Sequence, residues 1–351
     1  MPETVRLTFL GDIHFGEDPA FSIDARLREV LGAADLVVAN LESPLTDRAT
    51  CVPHKAALRS SAGASRLLVE WGIPAASIAN NHIFDCGLEG YEDTVRELDE
   101  RGIAHTGAGA NLLEAERPLI VERGGMRIAL LACAEEQTQA TMAAADSYGC
   151  APCVVPRLCD RIREARASAD VVIVLPHWGY CGYGIPIPRQ LGEAKTLLDA
   201  GATAVIGHHS HAFQGIYEGD GVLVAYSLGN FAFGGFMHNG RFVPPSREGL
   251  HGLILNLEVS ADGVRSWTAL HTVQRQGMIC IDESPKRHHI LVRKSHELDE
   301  EVLEKLWKRA AFCRLLRRAV FWLNPMRWRK IGRQQLRGAA FMIRKAAGNG
   351  E

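Results

Sequence analysis

Short apolar runs recur along this chain, and each stops at a small cluster of polar residues. Residues 5–10 (VRLTFL) lead into Gly11, Asp12 and His14, and residues 35–39 (DLVVA) lead into Asn40 and Glu42. Runs at 75–79, 170–175 and 204–206 end at Asn80-Asn81-His82, at Pro176-His177-Trp178 and at Gly207-His208-His209-Ser210-His211. Apolar runs of this length, bounded by glycine, proline or polar residues, predict buried strands. Between them the periodicity predicts helices over 22–33, with Ser22 as its cap, and over 64–71, 90–101, 157–167 and 189–200. Gly124-Gly125 between residues 118–122 and 127–133 predicts a hairpin, and further strands are expected at 222–225 and 253–259. Alternating strands and helices predict an α/β fold with a largely parallel sheet, completed by short hairpins.

The carboxyl ends of parallel strands lie along one edge of a sheet, where ligands bind. Five strand ends here carry chemistry: Asp12 and His14, Asn40 and Glu42, Asn81 and His82, His177, and His209 with His211. In an extended segment His209 and His211 point the same way and His208 the other. One histidine or aspartate after a strand is ordinarily structural, whereas five such ends together point to metal. Acids, an amide and several imidazoles supply enough ligands for two divalent ions, and mixed nitrogen and oxygen donors suit Mn, Zn or Fe. No serine or cysteine nucleophile with a neighbouring base is visible. Lys55 and Arg59, in the loop after Glu42, either bind an anionic substrate or are solvated charges. Asp85 either orients His82 or caps a turn, and Asn230 either touches substrate or belongs to a strand-terminal turn. Gly107-Ala108-Gly109 lacks a third glycine at dinucleotide-motif spacing and reads as a turn.

Composition adds a second region. The 351 residues are 47% hydrophobic, ample for a sizeable core. The net charge of −2 hides an asymmetry: residues 301–351 hold 13 Lys and Arg against 3 Glu, whereas 1–300 hold 26 against 38. The chain is therefore read as a domain over 1–280 and a basic amphipathic helical tail over 281–351. Trp307, Trp322 and Trp328 among the tail's arginines fit either a membrane surface or packing on the body or a second subunit. Nucleic acid is disfavoured, since no binding motif accompanies the charge. Nine scattered cysteines do not resemble a disulfide framework, and Cys150 and Cys153 read as free thiols. With no signal-peptide pattern and no run of about 18 apolar residues, the expected location is cytoplasmic, peripheral to the inner face of the membrane through the tail.

The order of motifs resembles the CapA family of capsule and poly-γ-glutamate synthesis proteins, a branch of the calcineurin-like metallophosphoesterases. The resemblance covers about residues 5–260. It rests on GD at 11–12, NLE at 40–42, NNH-x-x-D-x-G at 80–87, GAG at 107–109, HWG at 177–179, HHSH at 208–211 and SLGNF at 227–231, with Pro186 and Gln190 also in place. It implies a four-layer αββα sandwich of two mixed sheets flanked by helices, with a C-terminal helical extension. It further implies one metal on Asp12, His14 and His211, a second on Asn81, His177 and His209, and Glu42 bridging them. His82 would be the general acid or stabilise the charged transition state, and a water bridging the ions would attack. The implied substrate is an anionic small molecule, glycan or polymer, cleaved at a phosphate ester of cell-envelope metabolism. An amide in a poly-γ-glutamate-like polymer, or a non-hydrolytic accessory role in polymer synthesis or export, are the other readings. His14 completes the D-x-H of the wider phosphoesterases. Where the family often has an acid two residues after HWG, this chain has Cys181, and its bridging acid reads as glutamate and not aspartate.

Overall fold

The computed structural model describes residues 4–309, apart from 18–19, 50–51, 53–54, 297–298 and 300. Two sheets dominate it. The larger has nine strands, in the order Ser22–Ile23, Met278–Ile281, Gly263–Arg275, His251–Ser260, Val5–His14, Leu36–Leu41, Ala75–Ser77 and Ala104–Thr106, with Asn230–Phe233 pairing parallel to the end of Val5–His14. The smaller runs Ile216–Glu218, Leu223–Ala225, Ala204–Ile206, Val171–His177, Met126–Ala134 and Leu119–Arg123.

Side-chain alternation divides the core. In Val171–His177, Val171, Ile173 and Leu175 join the cluster between the sheets, while Val172 and Val174 face the other way. Met126–Ala134 does the same, with Ile128, Leu130 and Ala132 inward and Ala129, Leu131 and Cys133 outward. The outward set is covered by Leu158 and Ile162 of the helix Val155–Arg166 and by Ala194 and Leu197 of Arg189–Asp199. Helices Ala25–Gly32, Ser65–Glu70 and Gly87–Glu100 bury Leu27, Leu31, Leu67, Leu68 and Leu98 against the larger sheet. Strands apolar on both faces are what a sheet covered on both sides requires. The result is the expected four-layer sandwich of mixed sheets flanked by helices.

Some local expectations differ. Ser22 does not cap the first helix. Residues 22–23 are drawn into a strand beside Met278 and Ile279, and Asp24 caps instead, its carboxylate accepting from Leu27 N at 2.7 Å. The strands Gly263–Arg275 and Met278–Ile281 are additions to the predicted set. The helix Pro285–His296 lies against Ile216–Glu218, where Ser295 Oγ accepts from Ile216 N at 3.0 Å. The chain divides into compact units at 1–303 and 304–351. Residues 310–351, with Trp322, Trp328 and most of the tail's arginines, lie outside the described residues. Among the described residues no helix is long and apolar enough to cross a membrane. Cys150 and Cys153 are free, as expected, whereas Cys86 is disulfide-bonded.

Candidate metal centre

Parallel pairing of Val5–His14 with Leu36–Leu41 sets Asp12 opposite Asn40, so Glu42 follows immediately beyond the shared edge. The turn after Ala75–Ser77 is tied to this edge by Asn80. Its Nδ2 donates to Leu41 O at 2.8 Å, and its Oδ1 accepts from Ile83 N at 2.9 Å. This presents Asn81 and His82 at the same edge. The smaller sheet delivers His177 at a strand end, bridged to His208.

His209 and His211 arrive differently from the sequence expectation. Neither is extended, since both have positive φ, at 91° and 53°. A left-handed conformation is uncommon for a non-glycine residue. The segment turns after Gly207 and brings both rings to the site by folding back, not by strand alternation. His208 does point elsewhere, its Nε2 lying 3.2 Å from Leu10 O between the sheets.

Two ligand groups form. Glu42, His177 and His209 offer ligand atoms all within 4.8 Å of one another, as do Asp12, Glu42 and His211. Glu42 belongs to both groups. Its Oε1 lies 3.7 Å from His177 Nε2 and 3.6 Å from His211 Nε2. Asn81 Oδ1 stands 2.8 Å from His177 Nε2, which is 3.1 Å from His209 Nδ1. His211 Nδ1 is 3.5 Å from Asp12 Oδ2. His14 falls outside these groups. Its Nδ1 pairs with Ser43 Oγ at 2.9 Å, and its Nε2 is buried without a hydrogen-bond partner.

The donor set fits metal on its own terms. Both oxygens of Glu42 are buried and make no hydrogen bond. A buried carboxylate left this way is costly unless a cation answers it. Burial, then the nearby charge of Asp85, pushes the Glu42 carboxyl well up, and Lys55 opposes this. Burial, then Glu42, pushes Asp12 well up. Burial and neighbouring imidazoles push His177 and His209 well down and His14 down to about 3. The neutral imidazoles already present the lone pairs that a metal takes, whereas the raised acids take it only as carboxylates, so a bound cation would have to displace their protons.

Around the ligands lies a supporting layer. Asp85 Oδ2 stands 2.6 Å from His82 Nδ1 and accepts from Leu58 N at 2.7 Å. Asn40 Nδ2 donates to Asp12 Oδ1 at 2.8 Å. Asn230 Oδ1 lies 2.9 Å from His211 Nδ1, and its Nδ2 donates to Gly249 O at 2.9 Å. Such partners fix the ring that a metal uses. Phe233 packs on both His14 and His211, with ring centroids 5.1 and 4.9 Å away. Ser43 and Phe233 escaped the sequence reading, and Asn80 was read only as part of the NNH motif without its supporting role. Ser43 adjoins NLE, and Phe233 follows SLGNF by two positions.

Asn40, Lys55, Arg59 and Asn230, the candidates for contact with substrate, each have protein partners. Asn40 and Asn230 orient ligands as described. Lys55 pairs with Asp85 at 2.6 Å, and Arg59 pairs with Glu17 at 2.5 Å and donates to Arg48 O at 2.6 Å.

The motif order and this geometry agree with a family model that spans residues 6–235, that of the bacterial capsule synthesis protein PGA_cap. This chain belongs to the PGA_cap family. It is similar to the PGA biosynthesis protein CapA of Bacillus subtilis, 29% identical over 242 residues, covering 66% of this chain and 64% of that protein. It is 30% identical over 247 residues to the capsule biosynthesis protein CapA of Bacillus anthracis, covering 66% of this chain and 60% of that one. The matched part therefore spans less than two thirds of either PGA_cap relative. A "probable polyglutamine synthesis accessory protein" of Mycobacterium tuberculosis is 30% identical over 165 residues, 44% of this chain and 43% of that one. Among solved structures, a hypothetical protein from Thermus thermophilus has a TM-score of 0.48 at 17% identity, covering 77% of this chain and 100% of that one. The calcineurin-like phosphoesterase YfkN of Bacillus subtilis has a TM-score of 0.43 at 12% identity, covering 87% and 99%.

Proposed function

We propose that this PGA_cap protein is a binuclear metal-dependent hydrolase acting on a phosphate ester of capsule or cell-envelope metabolism. The observation that carries the proposal is Glu42, buried with two unanswered oxygens and shared by two ligand groups. Asp12, His211 and Glu42 would hold one divalent ion, with His14 Nε2 turned to the same use. Asn81, His177, His209 and Glu42 would hold the other. When bound, such ions acidify water and neutralise charge on a phosphoryl oxygen. The chain's own contribution is orientation and proton handling. Asp85 fixes His82 through Nδ1, which leaves Nε2 for proton exchange with the leaving group. Asn230 and Asn40 hold His211 and Asp12 in place.

The second reading, a metal-bearing accessory subunit of polymer synthesis, is favoured by the name of the Mycobacterium tuberculosis relative. It has no use for the oriented His82. Assays with a chromogenic phosphomonoester and phosphodiester, supplemented with Mn, separate the two. The hydrolase reading predicts turnover that falls by about 10²-fold or more in His82→Ala, the size of a lost general acid. Metal-loaded protein without turnover on phosphate or γ-glutamyl amide substrates would favour the accessory role.

A further inference from the structure

Beside the metal centre lies a cavity of about 610 Å³ whose wall is largely apolar. It shares backbone with the site. Phe15 follows His14 directly, and Gly234 N donates to His14 O at 2.7 Å. Phe233, which packs on His14 and His211, is one side of the cavity. Gln274 fixes that residue, accepting from Phe233 N at 2.9 Å and donating to Phe233 O at 3.0 Å. Phe21 and Phe236 continue the wall, and Met237 and Phe242 form its outer part.

Met237 and Phe242 are 52% and 66% exposed, on the hairpin of Phe236–His238 with Arg241–Val243. A cluster of exposed large apolar side chains at the mouth of a cavity marks a binding surface. The charged groups among the described lining residues are Arg59 and Glu17, and they answer each other at 2.5 Å. The cavity therefore offers no unmatched charge to a second anionic group.

We infer that this cavity binds an apolar substituent of the substrate whose anionic group is held at the metal centre. The substrate is thus an amphiphile, charged at one end and hydrophobic at the other, and not a uniform polyanion. The Phe233 ring, packed on His14 and His211 and lining the cavity, is the wall that the two parts share. The inference rests on the hydrolase reading for the identity of the anionic end.

The test is calorimetric titration of the full chain, loaded with Mn, with methylphosphonate, phenylphosphonate and phosphonoacetate. Phenylphosphonate is expected to bind about tenfold tighter than methylphosphonate, as removal of a ring from water predicts. Phe242→Asp, at an exposed position, and Ala57→Trp, which fills the cavity, are expected to abolish that preference and leave methylphosphonate binding unchanged. Equal affinities for methyl and phenyl, or tightest binding of phosphonoacetate, would overturn the inference while leaving the metal centre standing. Failure of all three to bind would overturn the anion-binding reading and this inference with it. A phenyl preference without hydrolysis of any ester would keep the cavity's assignment and overturn only the hydrolytic one.

Discussion

Buried imidazoles set the acid limit of this molecule. His208 makes its hydrogen bond to Leu10 O inside the sandwich, and burial pushes it from 6.5 down to about 4. A depressed imidazole contributes stability that is present above pH 6.5 and is lost as the pH falls towards the folded value. Over that window the loss is about 3 kcal/mol for His208. Urea unfolding of metal-free protein should therefore show stability falling between pH 6.5 and 4. His208→Gln, which keeps a donor for Leu10 O, should make the fall shallower, and an unchanged slope would refute the assignment. Asp12 and Glu42 act with the opposite sign. Their raised carboxyls favour the metal-free fold at low pH, so this contribution is lost as the pH rises. At this scale the candidate ligands were legible where each follows an apolar run, as Asp12, Glu42 and His177 do. Partners were not. Nothing near Lys55 in sequence says that Asp85 will take its charge, or near Asn230 that His211 will take its carbonyl. Those pairings come from loops and strands that meet only in the folded chain.

Single glycines let the elements close on the site. A Cβ at Gly207 would fall on the Tyr226 carbonyl oxygen and on Trp178 Nε1, which itself donates to Tyr226 O at 3.0 Å. A Cβ at Gly11 would fall on the Gly229 carbonyl, which accepts from Asp12 N at 2.9 Å. Gly11 directly precedes Asp12 and Gly207 lies two residues before His209, so the close approach that they permit seats those candidate ligands. Gly207→Ala should destabilise the protein by roughly 1–3 kcal/mol, the usual cost of overpacking. Thermal unfolding measures it, and an unchanged midpoint would show that the strand end can shift freely. The strands themselves were legible where they are apolar on both faces, as in Val171–His177. The turn at His209 and His211 was not, because a sequence of histidines carries no sign of positive φ. Ser22–Ile23 was misread for a related reason, since its partner Met278–Ile281 lies over 250 residues away in the chain and pairing overrode the local capping pattern.

For the whole molecule, two sheets contribute to one edge, and neither holds a complete site. Asp12, Glu42 and Asn81 come from the larger sheet and its loops, while His177, His209 and His211 come from the smaller. The sandwich is therefore part of the candidate metal centre; the alternation of strands and helices predicted only a largely parallel sheet, and the two mixed sheets were legible through the family resemblance. The long antiparallel pair His251–Ser260 and Gly263–Arg275 was only half legible, because Gly263–Arg275 is partly exposed and its polar residues mask the period. Two ions bridged by Glu42 at this edge are the core of the proposed function. Their number is read by mass-spectrometric metal content of the full chain, purified without chelator and resupplied with Mn or Zn. About two ions per chain are expected, falling to about one in Asp12→Ala and in His209→Ala, and further in Glu42→Gln, as for a two-metal site with a shared ligand. Folded wild-type protein that retains no metal, or the same content in all three variants, would contradict it.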